Sequence, residues 1–106
     1  MTKTKRSDRR SVYVSTTISV VDGIANQAYD LRAALDAKGG WNGARYLKIA
    51  STLTITMRVN STAADQITIG TTAIVLDDIL TINDLYFTHA GGASGTGNAT
   101  VTLLAI

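Results

Sequence analysis

Leu53, Ile55, Met57 and Val59 alternate with Thr54, Thr56 and Arg58. A period of two puts one set on each face of an extended chain, the pattern of a strand with one side buried. A helix repeats about every 3.6 residues and would scatter these apolar groups around its circumference. The same alternation opens the chain's hydrophobic part. There Val12, Val14, Ile18 and Val20 alternate with Tyr13, Ser15, Thr17 and Ser19, and Thr16 takes the apolar phase. Strands of this kind need a second layer to cover their apolar face. Composition points the same way. Thr and Ala are abundant, Pro is absent, and all eight acids are Asp, so Glu is absent too. Straight-chain helix formers are scarce and β-branched residues dominate, which favours strands.

Further short strands are expected at Tyr46–Ala50, Gln66–Ile69, Thr72–Leu76, Ile79–Ile82, Leu85–His89 and Asn98–Ile106. Turn residues separate them: Asp22-Gly23, Asn60–Asp65, Asp77-Asp78, Asn83-Asp84 and the loop Ala90–Gly97. Asp30–Lys38 is the one helical stretch. Asp30 is placed to cap its start, Leu31, Ala34 and Leu35 share a face, Lys38 suits its C-terminal carbonyls, and Gly39-Gly40 ends it. Such a short helix is not stable alone in water and must dock, here across the open end of the sheets. Together these elements predict a mainly β fold. It is an antiparallel β-sandwich or jelly-roll-like barrel of seven or eight strands with one short helix. Residues 12–106 form its single domain.

Residues 1–11 differ from the rest. They have no hydrophobic side chain after Met1 and are expected to be a flexible basic arm. Lys3, Lys5, Arg6, Arg9 and Arg10 stand against Asp8 alone, a balance of +4, while the remaining 96 residues hold five bases and seven acids. These five basic residues are the candidate partner-binding set. They suit phosphates of a nucleic acid, an acidic patch on a neighbouring subunit, or simple solvation of a tail. A basic start with no apolar run behind it does not read as a secretory leader, and no run approaches membrane-span length. Synthesis in a host cytoplasm, with no membrane contact, is the expectation. A chain of 106 residues without cysteine has a modest core and no disulfide to support it. The closing strand Val101–Ile106 has no charged side chain. Unprotected edges of this kind are paired or covered, and with a small core and apolar strand edges of little charge, self-association is expected.

His89 is the only histidine, shares a face with Leu85 and Phe87, and has no Cys, Glu or second His to complete a metal set or triad. Asp77, Asp78 and Asp84 with Asn83 are the only carboxylate cluster. Their spacing does not match a calcium-binding loop, and Asp and Asn are ordinary turn residues. Gly91–Gly97 lacks a lysine and leads into a strand, so it is no phosphate loop, and Ser94 lacks a nucleophile's setting. Asn60-Ser61-Thr62 and Asn98-Ala99-Thr100 fit the glycosylation pattern by composition alone. Trp41, Tyr46, Tyr86 and Phe87 suit a stacking patch or a core, with Phe87 assigned to the core. No enzyme activity and no cofactor are expected.

The layout resembles that of small virion proteins of tailed bacteriophages that fold as β-sandwiches. The resemblance rests on the opening strand Val12–Val21, the segment Asp30-Leu31-Arg32-Ala33-Ala34-Leu35, and the polar turn around Arg58–Thr62. It continues in Ile67-Thr68-Ile69-Gly70, in Asn83–Phe87, and in the closing strand after a Gly/Ser loop. It spans most of residues 12–106 and contains no diagnostic motif. It implies a decoration, cement, fibre or tail subunit that forms homo-oligomers, attaches to other capsid or tail proteins, and resides in the virion. The alternative is a β-sandwich module recognising a host surface carbohydrate.

Overall fold

The computed structural model describes residues 12–39, 43–89 and 97–106. Its strands pair by counting inward from the two ends of the chain. β1 (Val14–Val20) pairs with β8 (Ala99–Ala105), and β2 (Gln27–Asp30) with β7 (Asp84–Thr88). β3 (Ala44–Ser51) pairs with β6 (Ile74–Ile82), and β4 (Ile55–Val59) with β5 (Ile67–Ile69). These nested pairs describe one long antiparallel ribbon, doubled back at the polar turn after Asn60. Rolled up, the ribbon also brings β8 against β3 and β7 against β4. The result is two four-stranded sheets, ordered β1-β8-β3-β6 and β2-β7-β4-β5. That order, with every pairing antiparallel, is a jelly roll.

The alternation read from the sequence becomes the core. Val14, Val20, Ile55, Met57 and Val59 are buried, while Ser15, Thr17 and Ser19 face water. Leu85, Phe87 and His89 point inward together, and Phe87 is the largest fully buried side chain among the described residues. Among the described residues, eighteen buried apolar side chains form one cluster between the sheets. The helix α1 (Leu31–Asp36) buries Leu31 and Leu35. It packs on β3 of one sheet and β7 of the other, so it closes one end of the sandwich. The Asp30 carboxylate accepts the Ala33 N–H at 2.9 Å, which caps the helix start. Gly39 has φ +93°, the left-handed turn that ends the segment. Lys38 lies two residues beyond the helix, and no base sits in its last turn.

Three expectations change. β2 is an added strand: its four residues are too few for alternation to announce it, and pairing with β7 alone makes it a strand. Thr72–Leu76 and Ile79–Ile82 are one strand, because Asp77-Asp78 bends the ladder without ending it. The closing strand β8 lies between β1 and β3 and is no edge. Its freedom from charge reflects burial in mid-sheet, where both ladders are occupied, so it gives no ground for expecting self-association.

Candidate assembly surface

The edges of the sandwich are unequal. In the second sheet they are β2 and β5, of four and three residues. Short edges leave little backbone for another chain to pair with. The first sheet ends in β1, of seven residues, and β6, of nine. β1 has no charge, lysine or proline to guard it, whereas β6 carries Asp77 and Asp78, two charges of the kind that blunt an edge. Next to β1, Tyr13 is 57% exposed, and along β6 Val75, Ile79 and Leu80 are 48%, 70% and 38% exposed. Among the described residues, these two long unpaired backbone rows therefore coincide with most of the large exposed apolar side chains.

A bulge shapes β6. Ala44 faces Ile82 and Tyr46 faces Asp77, so residues 78–81 stand opposite Arg45 alone. Asp78 takes φ +58° at this point. Both Nε and Nη2 of Arg45 reach Asp78 Oδ1 at 2.8 Å, pinning the base of the bulge. The pair is half-exposed, so it contributes only ~0.2–1 kcal/mol and serves mainly to set geometry. Ile79 and Leu80 then project from the sheet edge. The register also fixes where the chain's start lies. Val14, Ala105, Leu47 and Leu76 form one row across the first sheet. Residue 13 thus enters β1 at the same end of the sheet as Asp77 and the bulge.

The other end is tied internally. His89 is 6% exposed, and its Nε2 lies 2.8 Å from the Gly97 carbonyl, to which it donates. The Asp22 carboxylate is 3.7 Å from the same nitrogen and accepts the Gly97 N–H at 3.3 Å. Asn98 Oδ1 accepts the Asp22 N–H at 3.0 Å. These contacts join the β1–β2 turn to the end of β7 and the start of β8. The lone histidine is thus a fastening between loops.

The carboxylates singled out in the sequence are dispersed. Asp78 is held by Arg45, Asp77 is exposed on β6, and Asp84 sits opposite Asp30 in the second sheet. Among the described residues no group of three or more His, Cys, Asp or Glu converges as a metal site. Burial, and secondarily the charge of Asp30, pushes the Tyr29 hydroxyl pKa above its usual 10.0. Asn60 is occupied by the fold. Its Oδ1 accepts the N–H groups of Asn83 and Asp84 at 2.7 and 3.2 Å, and its Nδ2 donates to Thr81 O at 2.8 Å. It also holds φ +69°. The side chain thereby fastens the end of β4 to the crossing from β6 to β7. Asn60→Ala loses all three bonds and strains the left-handed backbone, for an expected loss of about 2 kcal/mol. Urea unfolding of the two proteins checks this, with the midpoint shifted down and the slope unchanged.

Tyr46 and Tyr86 are half-buried on the outer faces, and Phe87 is core, as expected. Trp41, Ser94 and the basic set Lys3, Lys5, Arg6, Arg9 and Arg10 lie outside the described residues. Nothing in the sequence pattern singles out Val75, Ile79 and Leu80. An apolar residue in a strand looks the same whether its neighbour is another strand or water. Among the described residues, no helix is long and apolar enough to cross a membrane. The chain matches no family model, no curated protein and no solved structure.

Proposed function

We propose that this chain is a non-enzymatic structural subunit that builds a particle, by self-association and by attachment to other proteins of that particle. A phage virion is the setting its sequence layout suggests. The observation that carries the reading is the first sheet's pair of long edges, with Tyr13, Val75, Ile79 and Leu80 exposed along them. Exposed apolar rows on an unpaired edge are costly for a protein that stays alone, and they are covered by partners where they persist. The jelly-roll order is shared by capsid and lectin domains, so the fold by itself favours neither reading. A carbohydrate-binding role is the alternative. It calls for a concave polar pocket with a stacking aromatic ring, and Trp41 remains its candidate.

Sedimentation of the purified protein at micromolar concentration tests the proposal. Discrete oligomers or larger assemblies are expected. A protein that stays monomeric there and joins no particle defeats it, and selective binding on a glycan array would favour the alternative.

The basic arm gives a separate prediction. A chain beginning at Ser11 retains every residue of the buried cluster. It is expected to melt within a few degrees of the full chain and to bind its partner more weakly. Five basic side chains, each worth ~0.2–1 kcal/mol when exposed, act together in this contact. The full chain's binding should therefore fall more steeply with added salt than the shortened chain's. Equal binding across salt concentrations would make the arm a solubility tail.

A further inference from the structure

Each long edge of the first sheet is closed at one end by a side-chain amide. On β1, Gln27 Nε2 donates to the Ser19 carbonyl at 2.8 Å and Gln27 Oε1 accepts the Val21 N–H at 2.9 Å. On β6, Asn60 Nδ2 donates to the Thr81 carbonyl at 2.8 Å, and the bulge ends the regular ladder at Asp77. These amides take backbone groups that a neighbouring strand would use. What stays open on β6 is the regular stretch from Ala73 to Asp77, with Val75 at its centre, 48% exposed.

The ladder fixes which backbone groups turn outward. Tyr46 and Ile106 exchange N–H···O bonds, at 3.1 and 3.0 Å, so the even-numbered residues of β3 face β8. The odd-numbered Leu47 and Ile49 therefore face β6, where they meet Leu76 and Ile74. Val75 sits between those two and directs its N–H and C=O to the open side, as do Ala73 and Asp77 two residues away. The side chains of all three are exposed on the outer face of the sheet.

That face also carries opposite charges. Asp78 is taken by Arg45, so Asp77 is the acid that a partner strand must accept. Among the described residues, neither Asp77 nor Lys48 has an ion pair. Lys48 lies opposite Val75 on β3. It lines a shallow hollow of about 260 Å³ with Ala50, Ala73 and Leu104, and it is the only charged group there.

Resting on the assembly reading above, we propose that the β6 edge is a two-fold pairing site whose occupant is the β6 edge of a second copy of this chain. Val75 meets Val75 at the axis, and Ala73 of each copy meets Asp77 of the other. Every outward backbone group of the stretch is then bonded, and the two four-stranded sheets become one. Each Asp77 lies over the partner's Ala73, at the rim of the hollow that Lys48 lines. The two Asp77 residues stand ~14 Å apart, beyond the ~8 Å over which exposed charges act in physiological salt. An axis at Asp77 would instead set the acids face to face, which is destabilising. Thr71 and Thr72 of the second copy run on beside Ile79 and Leu80 and cover them. Both copies use the same surface, so the contact is isologous and closes as a dimer, with β1 of each copy left for attachment to other proteins.

The chain has no cysteine, so disulfide trapping reports the register directly. Val75→Cys should form a covalent dimer under mild oxidation. Residues that exchange backbone bonds across an antiparallel pair have Cα atoms ~5.5 Å apart, inside the ~4.4–6.8 Å that a disulfide spans. Mixing Ala73→Cys with Asp77→Cys should give mixed dimers in preference to either homodimer. Predominant Asp77→Cys homodimers would overturn the register, and trapping of Ser15→Cys in place of Val75→Cys would overturn the choice of edge. No trapping at Val75, while the parent chain still sediments as an oligomer, would sink the contact and leave the assembly reading standing. A parent chain that is monomeric throughout would defeat both. Charge reversal supplies a second measurement. Lys48→Asp and Asp77→Lys should each weaken dimerisation roughly threefold to tenfold, and the two together in one chain should restore it. Association unmoved by the single changes would overturn the placement of Asp77 beside the hollow.

Discussion

Chains carrying Ile79→Lys and Leu80→Lys together should fold as well as the parent and lose most of their self-association. Both side chains project from the β6 bulge, 70% and 38% exposed, and neither belongs to the buried cluster. Lysine there leaves the folded monomer nearly unchanged, within about 0.5 kcal/mol, as for most surface substitutions. At an interface the same change removes apolar contact and adds two charges that must be desolvated. Apolar anchors of this kind are worth about 1–2 kcal/mol each when truncated, so a loss of roughly 30- to 1000-fold in association constant is expected. The measurement pairs sedimentation with thermal melting. A fall in association with an unchanged melting temperature supports the β6 edge as the contact. Unchanged association would move the contact elsewhere, and a large fall in melting temperature would show that the bulge belongs to the core.

Gly43→Ala has the largest expected effect on stability. Gly43 is buried where the chain enters β3, with φ +70°. An alanine meets two penalties. The left-handed backbone costs a residue with a Cβ about 1–2 kcal/mol. The new methyl group would also overlap the Asn83 side-chain oxygen and the Ile82 carbonyl. The carbonyl is backbone and cannot rotate away, so β3 and the end of β6 must separate. The combined loss should be about 3 kcal/mol or more, against a total of ~5–15 kcal/mol for a domain of this size. A drop in melting temperature of roughly 10–20 °C follows. Gly39→Ala is the control, since Gly39 has φ +93° but nothing within 4 Å of the added carbon. It should show the backbone penalty alone. Equal losses at the two positions would mean that the packing argument at Gly43 is mistaken.

The strand content, the capped helix and the inward face of each strand were legible in the sequence. These features are local. A period of two needs only successive residues, and Asp30 caps a helix three residues away. The placement of Phe87 and His89 with Leu85 followed from the same period, whatever strand lay opposite. Residue types alone offer His89 no second His, no Cys and no Glu, but its bond to Gly97 and its approach to Asp22 were not readable from them. Those partners meet only because β7 ends beside the β1–β2 turn.

Which strands are edges was decided by the tertiary structure alone. Val101–Leu104 and Ile79–Ile82 look alike as short apolar-rich segments, yet β8 is paired on both sides and β6 on one. Edge position depends on pairings between residues distant in the chain, such as Val14 with Ala105 and Leu47 with Leu76. No local pattern encodes them. The same holds for the bulge at Asp78. Two aspartates in a row signal a break, but whether the strand stops or bends depends on a ladder partner, and Arg45 and Ile82 decide that it bends. Local physics thus determined what the pieces are and which way they face. Only the roll of the ribbon decided which backbone rows were left open to another chain.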